Sequence, residues 1–387
     1  MTKWERLTPL EIKQLQEAFL DWYEVHQRNL PWRENHDPYR IWISEIMLQQ
    51  TRVVTVIDYF YRFMEAFPDI TSLAQAPEEQ LLKLWEGLGY YSRARNIQAA
   101  AQEMVAHYDG QMPQTIEEIS SLKGIGPYTA GAIASIAFGL PEPAIDGNVM
   151  RVVSRLFTIS ADIAKPASRK IFDEAMRTIL PIEAPGDFNQ ALMDLGSSIC
   201  TPTNPQCALC PLQSYCLAYQ TDTVEQYPVK SKKQPPKPIY YLAYCLQNQQ
   251  GEYLLVQRPA TGLLAKMWTF PLVEVTKEEY FRYQSAYQGG QLALDSVAED
   301  EATELPIWSD AVGHVVWQTR HLGEITHIFS HLKWHVLLFY GRVGTTSTLP
   351  PEAHWVKAAD FGQYVFPKPQ QKLLELWKKN GANNKDF

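Results

Sequence analysis

Four cysteines with a metal-binding spacing are the strongest chemical feature of the sequence. Six, two and five residues separate Cys200, Cys207, Cys210 and Cys216, and the fifth cysteine, Cys245, stands apart. Where no export signal is expected, clustered cysteines bind metal more often than they form disulfides. The spacing favours an iron–sulfur cluster held by four thiolates. A structural zinc site is the alternative, although zinc sites normally use two close pairs and only Cys207 and Cys210 form one.

Two carboxyl groups occur in contexts that suit proton chemistry. Glu45 lies on the apolar stripe of a predicted helix, between Ile41 and Leu48. A carboxyl group held there loses its water, which raises its pKa and suits it to donate a proton near neutral pH. A glutamate at the rim of the apolar face is the structural alternative. Asp146 immediately precedes the next helical pattern, where it serves as an N-cap, in the chemistry, or in both.

A short glycine-containing turn offers a place for a phosphate. Gly124 and Gly126 lie between two predicted helices, and Pro127 follows as a first-turn proline. Glycines in a tight turn present bare amides at the positive end of the following helix, which holds a phosphate oxygen without reading base sequence. A plain corner between two helices is the alternative.

The elements that position these residues fall into two regions. Residues 8 to about 220 show apolar residues at helical spacing, and Thr115 with Glu118 predicts a capping box. The basic, proline-rich stretch 227–238 predicts a linker. Beyond it the pattern predicts an α/β domain, with strands at Tyr240–Gln247, Tyr253–Gln257 and Trp334–Tyr340 and a helix at Lys277–Tyr287. We therefore predict a multidomain protein, all-α followed by α/β.

Composition limits the function classes. With 45% hydrophobic and 20% charged residues, the chain can bury a sizeable core. Its net charge of −8 argues against a generally cationic DNA-coating protein, but a few local cations and amides suffice to bind phosphates. We see no signal peptide, and the longest apolar run, Ala130–Leu140, is shorter than the roughly 18 residues of a membrane span. A soluble cytoplasmic protein is expected.

Several motifs together resemble a known family. GIGPYTAGAIAS, AIDGNVMRV and the four-cysteine loop resemble the helix-hairpin-helix DNA glycosylases that carry a [4Fe–4S] loop. LPWR (30–33), SEIMLQQT (44–51), GLGYYSRARN (87–96) and the long C-terminal extension are similar to the MutY type of adenine DNA glycosylase. The resemblance covers essentially the whole chain, most densely from residue 28 to 216.

The resemblance implies a reaction and a domain plan. It implies flipping and hydrolytic removal of adenine mispaired with 8-oxoguanine or guanine in duplex DNA by a monomer, leaving an abasic site. The implied glycosylase domain is 1–222, with a six-helix subdomain at about 30–138 and an iron–sulfur subdomain formed by 1–29 and 139–222. The linker is 223–238, a Nudix-like domain follows at 239–375, and 376–387 is a tail. The cluster is expected to be structural.

The resemblance also assigns catalytic roles. Glu45 matches the general acid that protonates adenine N7, and Asp146 matches the carboxylate facing the oxocarbenium-like sugar, as in two-carboxylate glycosidases. Tyr128 and Asn148 match residues that help to hold that centre. A similar endonuclease III-like glycosylase/lyase for oxidised pyrimidines carries lysine at the position of Tyr128, and only an amine can form the Schiff base that leads to strand cleavage. We therefore predict a monofunctional enzyme. A non-catalytic cluster protein is disfavoured by the presence of both carboxyl groups.

Further residues match substrate-binding positions of the family. They are Trp32, Arg33 and Gln190 around the adenine pocket, Gln50 and Tyr90 beside the damaged guanine, Arg28, Leu30 and Arg93 on the oxidised base or phosphates, and Gly124 and Gly126 on a DNA phosphate. Many relatives have glutamate at the position of Gln190.

The C-terminal domain resembles the Nudix hydrolases without their catalytic residues. Trp268–Pro271 is similar to the segment before their catalytic box, but Glu274, Glu278 and Glu279 do not reproduce its metal-binding pattern. We expect a recognition module in place of a second hydrolase. Phe329, Ser330 and His331 match the loop that contacts oxidised guanine; a polar hairpin tip is the alternative.

Overall fold

The chain forms two compact units. The structure, a computed structural model, describes residues 4–232, 234–287, 305–306, 308–344 and 348–381. The first unit, which we call the helical unit, is Met1–Leu84 with Ser92–Lys233. The second, the sheet unit, is Trp85–Tyr91 with Gln234–Phe387. The short segment 85–91 therefore belongs with the sheet unit, although the residues on either side of it belong to the helical unit.

The helical unit consists of α-helices joined by short turns, as the apolar spacing predicts. Among its described residues the helices are α1 Pro9–His26, α2 Pro38–Leu48, α3 Val53–Ala66, α4 Ile70–Gln75, α5 Glu78–Leu84, α6 Ser92–His107, α7 Ile116–Ser121, α8 Pro127–Phe138, α9 Gly147–Phe157, α10 Arg169–Ile179, α11 Pro185–Ser198 and α12 Leu217–Gln220. One 3₁₀ turn, Pro31–Arg33, carries two of the predicted pocket residues.

Short polar side chains begin several of these helices. Thr115 accepts the amide of Glu118 at 3.3 Å, and Asp146 accepts the amide of Val149 at 2.7 Å. Such caps satisfy amide groups that have no partner within the helix. Pro127 occupies the first turn of α8, where its missing N–H costs nothing. Both predicted N-caps and the proline position are confirmed.

The N-terminal helix packs against the later helices of its unit. Phe19 of α1 shares a core with Val153 of α9, Phe172 of α10 and Phe188 of α11, all fully buried. Cys200, Cys210 and Cys216 pack against the edge of this core. The loop with the clustered cysteines therefore packs on a core that combines the N-terminal helix α1 with the later helices α9, α10 and α11.

The sheet unit is built around a central parallel strand pair. Its described strands are β1 Lys237–Gln247, β2 Tyr253–Gln257, β3 Trp268–Thr269, β4 Leu272–Val275, β5 Val315–Trp317, β6 Gly323–Ile328, β7 Leu332–Val343 and β8 Ala353–Val356, and its helices are α13 Lys277–Ala286 and α14 Lys368–Asn380. The sheet order is β3-β2-β1-β7-β5, with β4 on β1, β6 on β7 and β8 on β2. β1 and β7 are parallel, and the other pairs that involve them are antiparallel.

Both faces of the central pair are buried, as is usual for parallel strands. Alternate residues of β1 enter different cores because side chains alternate along a strand. Cys245 packs with Leu373 of α14 on one face, and Tyr244 packs with Tyr280 of α13 on the other. Cys245 is thus a core residue.

The boundaries differ from the sequence-based plan at two places. β1 begins at Lys237, inside the predicted linker, and the early linker is tied down because Val229 O accepts the amide of Ile163 at 3.0 Å. α14 runs to Asn380, so the first part of the predicted tail is helical. This part continues the helix in which the side chain of Leu373 is buried. Residues 382–387 of that tail lie outside the described residues. No helix in the described part of the chain combines the length and apolar character needed to cross a bilayer.

Candidate active site and iron–sulfur site

A single cavity in the helical unit gathers most of the predicted site residues. Its volume is about 730 Å³, within the range of small-molecule sites. The predicted residues that line it are Arg28, Leu30, Trp32, Arg33, Glu45, Gln50, Gly124, Gly126, Tyr128, Asp146, Asn148 and Gln190. Residues far apart in the sequence therefore meet at one place.

Glu45 is a buried acid in the cavity wall. Most side chains around it on α2 are apolar, and only 6% of Glu45 is exposed. Burial raises its pKa from 4.5 to about 7, with a smaller contribution from Asp146, while the hydrogen bond from Tyr128 and the charge of Arg33 act in the opposite direction. The carboxyl group is therefore partly protonated at neutral pH.

Tyr128 is the direct partner of Glu45. Its hydroxyl donates to Glu45 Oε2 and lies 3.6 Å from the sulfur of Met193. Burial raises the pKa of Tyr128 well above its usual value of 10, and the charge of Glu45 adds to this effect. The phenol stays neutral and fixes one oxygen of Glu45.

Asp146 faces the same cavity from the start of α9. Its Oδ1 accepts the amide of Val149 at 2.7 Å, and its Oδ2 accepts the side-chain amide of Asn148 at 2.8 Å. Burial raises the pKa of Asp146, and these hydrogen bonds oppose the increase. The N-cap thus fixes the orientation of the carboxylate, so the structural and chemical interpretations of Asp146 are compatible.

Asn148 is held by an arginine that sequence analysis missed. Arg151 donates to Asn148 Oδ1 at 2.8 Å, to the carbonyl of Gly196 at 2.6 Å and to the carbonyl of Cys200 at 2.8 Å. These bonds connect the Asp146–Asn148 pair to the first cysteine of the cysteine loop. The sequence did carry a sign of this contact, because Arg151 follows Asn148 by three positions, which places both on one helix face.

The helical hairpin α7–α8 presents its glycine turn at the cavity. Gly124 has φ 80°, and a Cβ there would approach the side chain of Asn96 to 2.5 Å, so a larger residue does not fit. Gly126 is the N-cap of α8, and a Cβ at this position would meet open space. The positive end of α8 is therefore open to a phosphate.

The loop after α2 carries Gln50 in a left-handed conformation. Its φ is 57°, which is uncommon outside glycine. Arg93 donates to the carbonyls of Ile46 at 2.6 Å and Gln49 at 2.7 Å and is only 8% exposed. Arg93 therefore closes the end of α2 inside the protein. The predicted contact of Arg93 with the oxidised base or a phosphate stays a prediction beside this structural role.

The adenine-pocket candidates are buried. Trp32 packs edge-on against Phe60 at 5.5 Å between ring centres, and Gln190 of α11 is 8% exposed. Arg28 and Arg33 both donate to Asp194, one helical turn after Gln190. Sequence analysis missed Asp194, although its spacing of four from Gln190 on α11 was a signal.

The remaining predicted contacts lie in the sheet unit. Tyr90 is 47% exposed and has φ 48°. Phe329 packs against Trp334 at 5.0 Å, and the neighbouring Ser330 and His331 are exposed, with Ser330 Oγ 3.2 Å from His331 Nδ1. Phe329 thus anchors a hairpin tip whose two polar side chains face solvent.

The four clustered cysteines line one apolar cavity in the helical unit. Cys200, Cys207, Cys210 and Cys216 surround it together with apolar side chains. Four thiols around one apolar cavity suit the four thiolate ligands of an iron–sulfur cluster. Burial raises the pKa of Cys210 to about 12, so its thiolate needs a metal centre to replace the proton. Arg155 adds an N–H donor 3.3 Å from Cys200 Sγ.

Two of the glutamates after Pro271 have structural partners. Glu274 accepts the hydroxyl of Tyr241 at 3.0 Å, and Glu279 completes a capping box with Thr276 at the start of α13. Glu274 and Glu279 are therefore engaged in contacts within the sheet unit.

Comparisons with known protein families match separate parts of the chain, in agreement with its division into a helical unit and a sheet unit. Residues 43–178 match the HhH-GPD superfamily of base excision DNA repair proteins, residues 200–216 the iron–sulfur binding domain of endonuclease III, and residues 242–376 the NUDIX domain.

Curated relatives match across most of the chain. An adenine DNA glycosylase of Mus musculus is 35% identical, with 95% of this chain and 78% of the relative covered. One from Buchnera aphidicola of Schizaphis graminum is 39% identical, with 94% and 98% covered. A solved thermostable thymine-DNA glycosylase is 28% identical over 54% of this chain and 97% of its own, with a TM-score of 0.50.

Proposed function

We propose that this chain, which belongs to the adenine DNA glycosylases, excises adenine paired with 8-oxoguanine in duplex DNA, with Glu45 as the general acid. Its family membership establishes an adenine-specific DNA glycosylase of base excision repair with a [4Fe–4S] cluster, and it does not favour the endonuclease III-like alternative. The observation that supports the residue assignment is the convergence of Glu45 and Asp146 on one cavity.

The proposed reaction begins with proton transfer in the cavity. Tyr128 occupies Glu45 Oε2, so the proton is carried by Oε1 and is transferred to N7 of the flipped adenine. The bond between N9 and the sugar C1′ then breaks, and its electron pair leaves with the adenine as a neutral base. Asp146 stabilises the positive charge that develops on the sugar. Water adds its oxygen to C1′ and gives a proton to the Glu45 carboxylate, which restores the acid and leaves an abasic site.

The surrounding residues are proposed to hold the DNA and the base. Trp32 and Gln190 bound the adenine, Gly124 and Gly126 bind a phosphate at the start of α8, and Gln50 enters the helix next to the damaged guanine. Tyr128 has no amine with which to attack the sugar, which fits a monofunctional enzyme. We assign Ser330 and His331 to contacts with 8-oxoguanine because they are exposed beside the anchored Phe329.

The cysteine loop supplies structure to this site. Cys200, Cys207, Cys210 and Cys216 hold the cluster, which stabilises the loop that they form. Arg151 joins the carbonyl of Cys200 to Asn148, so an ordered loop keeps Asn148 and Asp146 oriented.

The proposal is tested with end-labelled duplexes that differ only in the base opposite the lesion. The adenine strand of an 8-oxoguanine:adenine duplex is expected to break only after hot alkali, with no adduct trapped by borohydride. A duplex with cytosine opposite 8-oxoguanine is the matched control and should stay intact. Breakage without alkali, or equal cleavage of both duplexes, contradicts the proposal.

A further inference from the structure

Asp194 joins two arginines in the wall of the active-site cavity. It lies on α11 with 3% of its side chain exposed. Arg33 donates to it through two bonds, Nη1 to Oδ2 at 2.7 Å and Nη2 to Oδ1 at 3.1 Å. Arg28 donates to Oδ1 through Nε at 2.8 Å and also through Nη2. We call these three residues the Asp194 clamp. A buried carboxylate is stable only when charge and hydrogen bonds compensate it, as they do here.

Arg33 is the member of the clamp whose charge acts on Glu45. Its side chain is 11% exposed, lies 5.8 Å from the ring of Tyr23 and lines the cavity with Glu45. Burial would lower the pKa of Arg33, but the hydrogen bonds and charge of Asp194 outweigh it and raise that pKa. Arg33 therefore stays cationic at a fixed position.

Three groups act on the charge of Glu45 from the elements around it. They are Tyr128 of α8, Asp146 at the start of α9 and Arg33 of the 3₁₀ turn. α11 contributes the neutral Gln190 to the cavity and places Asp194 against Arg33. The clamp contains two cations and one anion, so it presents one net positive charge.

We propose that Asp194 is a positioning residue that holds Arg33 beside Glu45 and limits the positive charge that the cavity wall presents to it. This inference rests on the proposed role of Glu45 as the acid. Asp194 touches neither the adenine nor the sugar in this scheme. It acts through Arg33, and it sets the pH range over which Glu45 can donate its proton.

If the clamp acts in this way, two substitutions should shift the pKa of Glu45 in opposite directions. Asp194→Asn keeps the shape and one acceptor oxygen that can hold Arg33, but it leaves two unbalanced guanidinium groups, which favour the ionised form of Glu45 and lower its pKa. Arg33→Gln leaves the neutral pair of Arg28 and Asp194, which removes the cation next to Glu45 and raises its pKa. A purely structural role has no reason to produce opposite shifts.

The test is the pH dependence of adenine excision under single-turnover conditions with the full-length, cluster-loaded protein. Rates on the 8-oxoguanine:adenine duplex are measured from roughly pH 6 to 9, where the high-pH decline reports Glu45. We expect this decline to move to lower pH by about half a unit or more in Asp194→Asn and to higher pH in Arg33→Gln. In Asp194→Glu, which keeps the negative charge, the decline should occur near the same pH as in the wild type. Asp173→Asn removes a more exposed carboxylate paired with Arg177 and is the matched charge control.

Each outcome decides the matter. If the high-pH decline of the rate does not move in Asp194→Asn, or moves to lower pH in Arg33→Gln, the proposed role of Asp194 is wrong. The proposed adenine glycosylase activity is not affected by that result. If Asp194→Asn loses the visible absorbance of the cluster or does not fold, the high-pH decline of the rate in Arg33→Gln must still move to higher pH. No adenine release by the wild type contradicts the proposed function itself.

Discussion

At the residue scale, two carboxyl groups in one cavity are prepared for different tasks by their hydrogen bonds. Asp146 accepts two N–H donors, from Val149 and from Asn148, which favour its ionised form. Glu45 accepts only a neutral phenol among its described partners, and burial raises its pKa to about 7. Burial raises the pKa of both groups, and in the proposed mechanism Glu45 donates the proton while Asp146 stabilises the charge on the sugar, the separation of roles that two-carboxylate chemistry requires.

The first prediction concerns the pH dependence of the reaction. In the proposed mechanism the protonated form of Glu45 is the active form, so the excision rate should fall above pH 7, where the group loses its proton. With a pKa of about 7, each further pH unit lowers the rate about tenfold. Single-turnover rates measured across neutral pH check this. A rate that rises steadily through this range contradicts an acid of this pKa.

The second prediction concerns stability at the same residue. The pKa of Glu45 is higher in the folded protein than its ordinary 4.5, so folding favours the protonated group and stability falls as pH rises from about 4.5 through 7. Glu45→Gln removes this penalty and should stabilise the helical unit by about 1–3 kcal/mol at pH 8. The gain should be much smaller at pH 5.

Thermal unfolding of the wild type and Glu45→Gln at both pH values measures the difference. Glu174→Gln, an exposed glutamate of α10, is the control and should show no such pH dependence. An equal change of Glu45→Gln at pH 5 and pH 8 shows that burial does not hold Glu45 protonated.

At the element scale, α2 and the loop after it depend on a side chain from another helix. The last carbonyls of a helix have no partner within it. Arg93 of α6 supplies N–H donors to the carbonyls of Ile46, Met47 and Gln49, and its positive charge suits a helix C-terminus. Arg93 thereby fixes the end of the helix that carries Glu45.

The third prediction removes this contact. Arg93→Met keeps the apolar stem but leaves buried carbonyls without their donor, so we expect a loss of about 2–4 kcal/mol in stability together with a lower excision rate. Arg95 lies on the same helix as Arg93, and Arg95→Met breaks its partly exposed ion pair with Glu78 of α5, which should cost under about 1 kcal/mol. Thermal unfolding and single-turnover assays compare the two. Equal effects of both substitutions contradict the role given to Arg93.

The sequence predicted the elements better than the contacts between them. Thr115, Pro127 and Asp146 act within one turn of the chain, so their capping roles follow from local spacing. Arg93 binds carbonyls more than forty residues away, and Asp194 binds Arg28 and Arg33 over a still longer separation. Carbonyl groups carry no sequence signature, and any arginine is a candidate partner for a lone aspartate, so neither contact could be predicted.

At the scale of the whole molecule, chemistry and lesion recognition are assigned to different units. The cavity and the cysteine loop belong to the helical unit, and the hairpin tip with Ser330 and His331 belongs to the sheet unit. The sequence predicted this division from the change in residue pattern and the proline-rich stretch. It did not predict that residues 85–91 belong with the sheet unit, because their sequence continues the helical region.

The fourth prediction separates the two functions. Replacing both Ser330 and His331 by alanine removes exposed polar groups without disturbing the packing of Phe329 on Trp334. We expect the preference for 8-oxoguanine:adenine over guanine:adenine to fall about tenfold, the worth of one or two hydrogen bonds, while the guanine:adenine rate stays near the wild type. Paired single-turnover assays on the two duplexes measure this preference. An equal loss on both duplexes contradicts a role in reading the lesion.

The central claim, that Glu45 supplies the proton that releases adenine, is tested most directly by one rate. Adenine release from a saturated 8-oxoguanine:adenine duplex is measured in a single turnover for the wild type, Glu45→Gln and the control Glu174→Gln, each with its cluster intact. Glutamine keeps the shape and the partner Tyr128 but carries no acidic proton, so release should fall by at least about 100-fold. The control should match the wild type. Release by Glu45→Gln within a few-fold of the wild-type rate contradicts the claim and requires another acid.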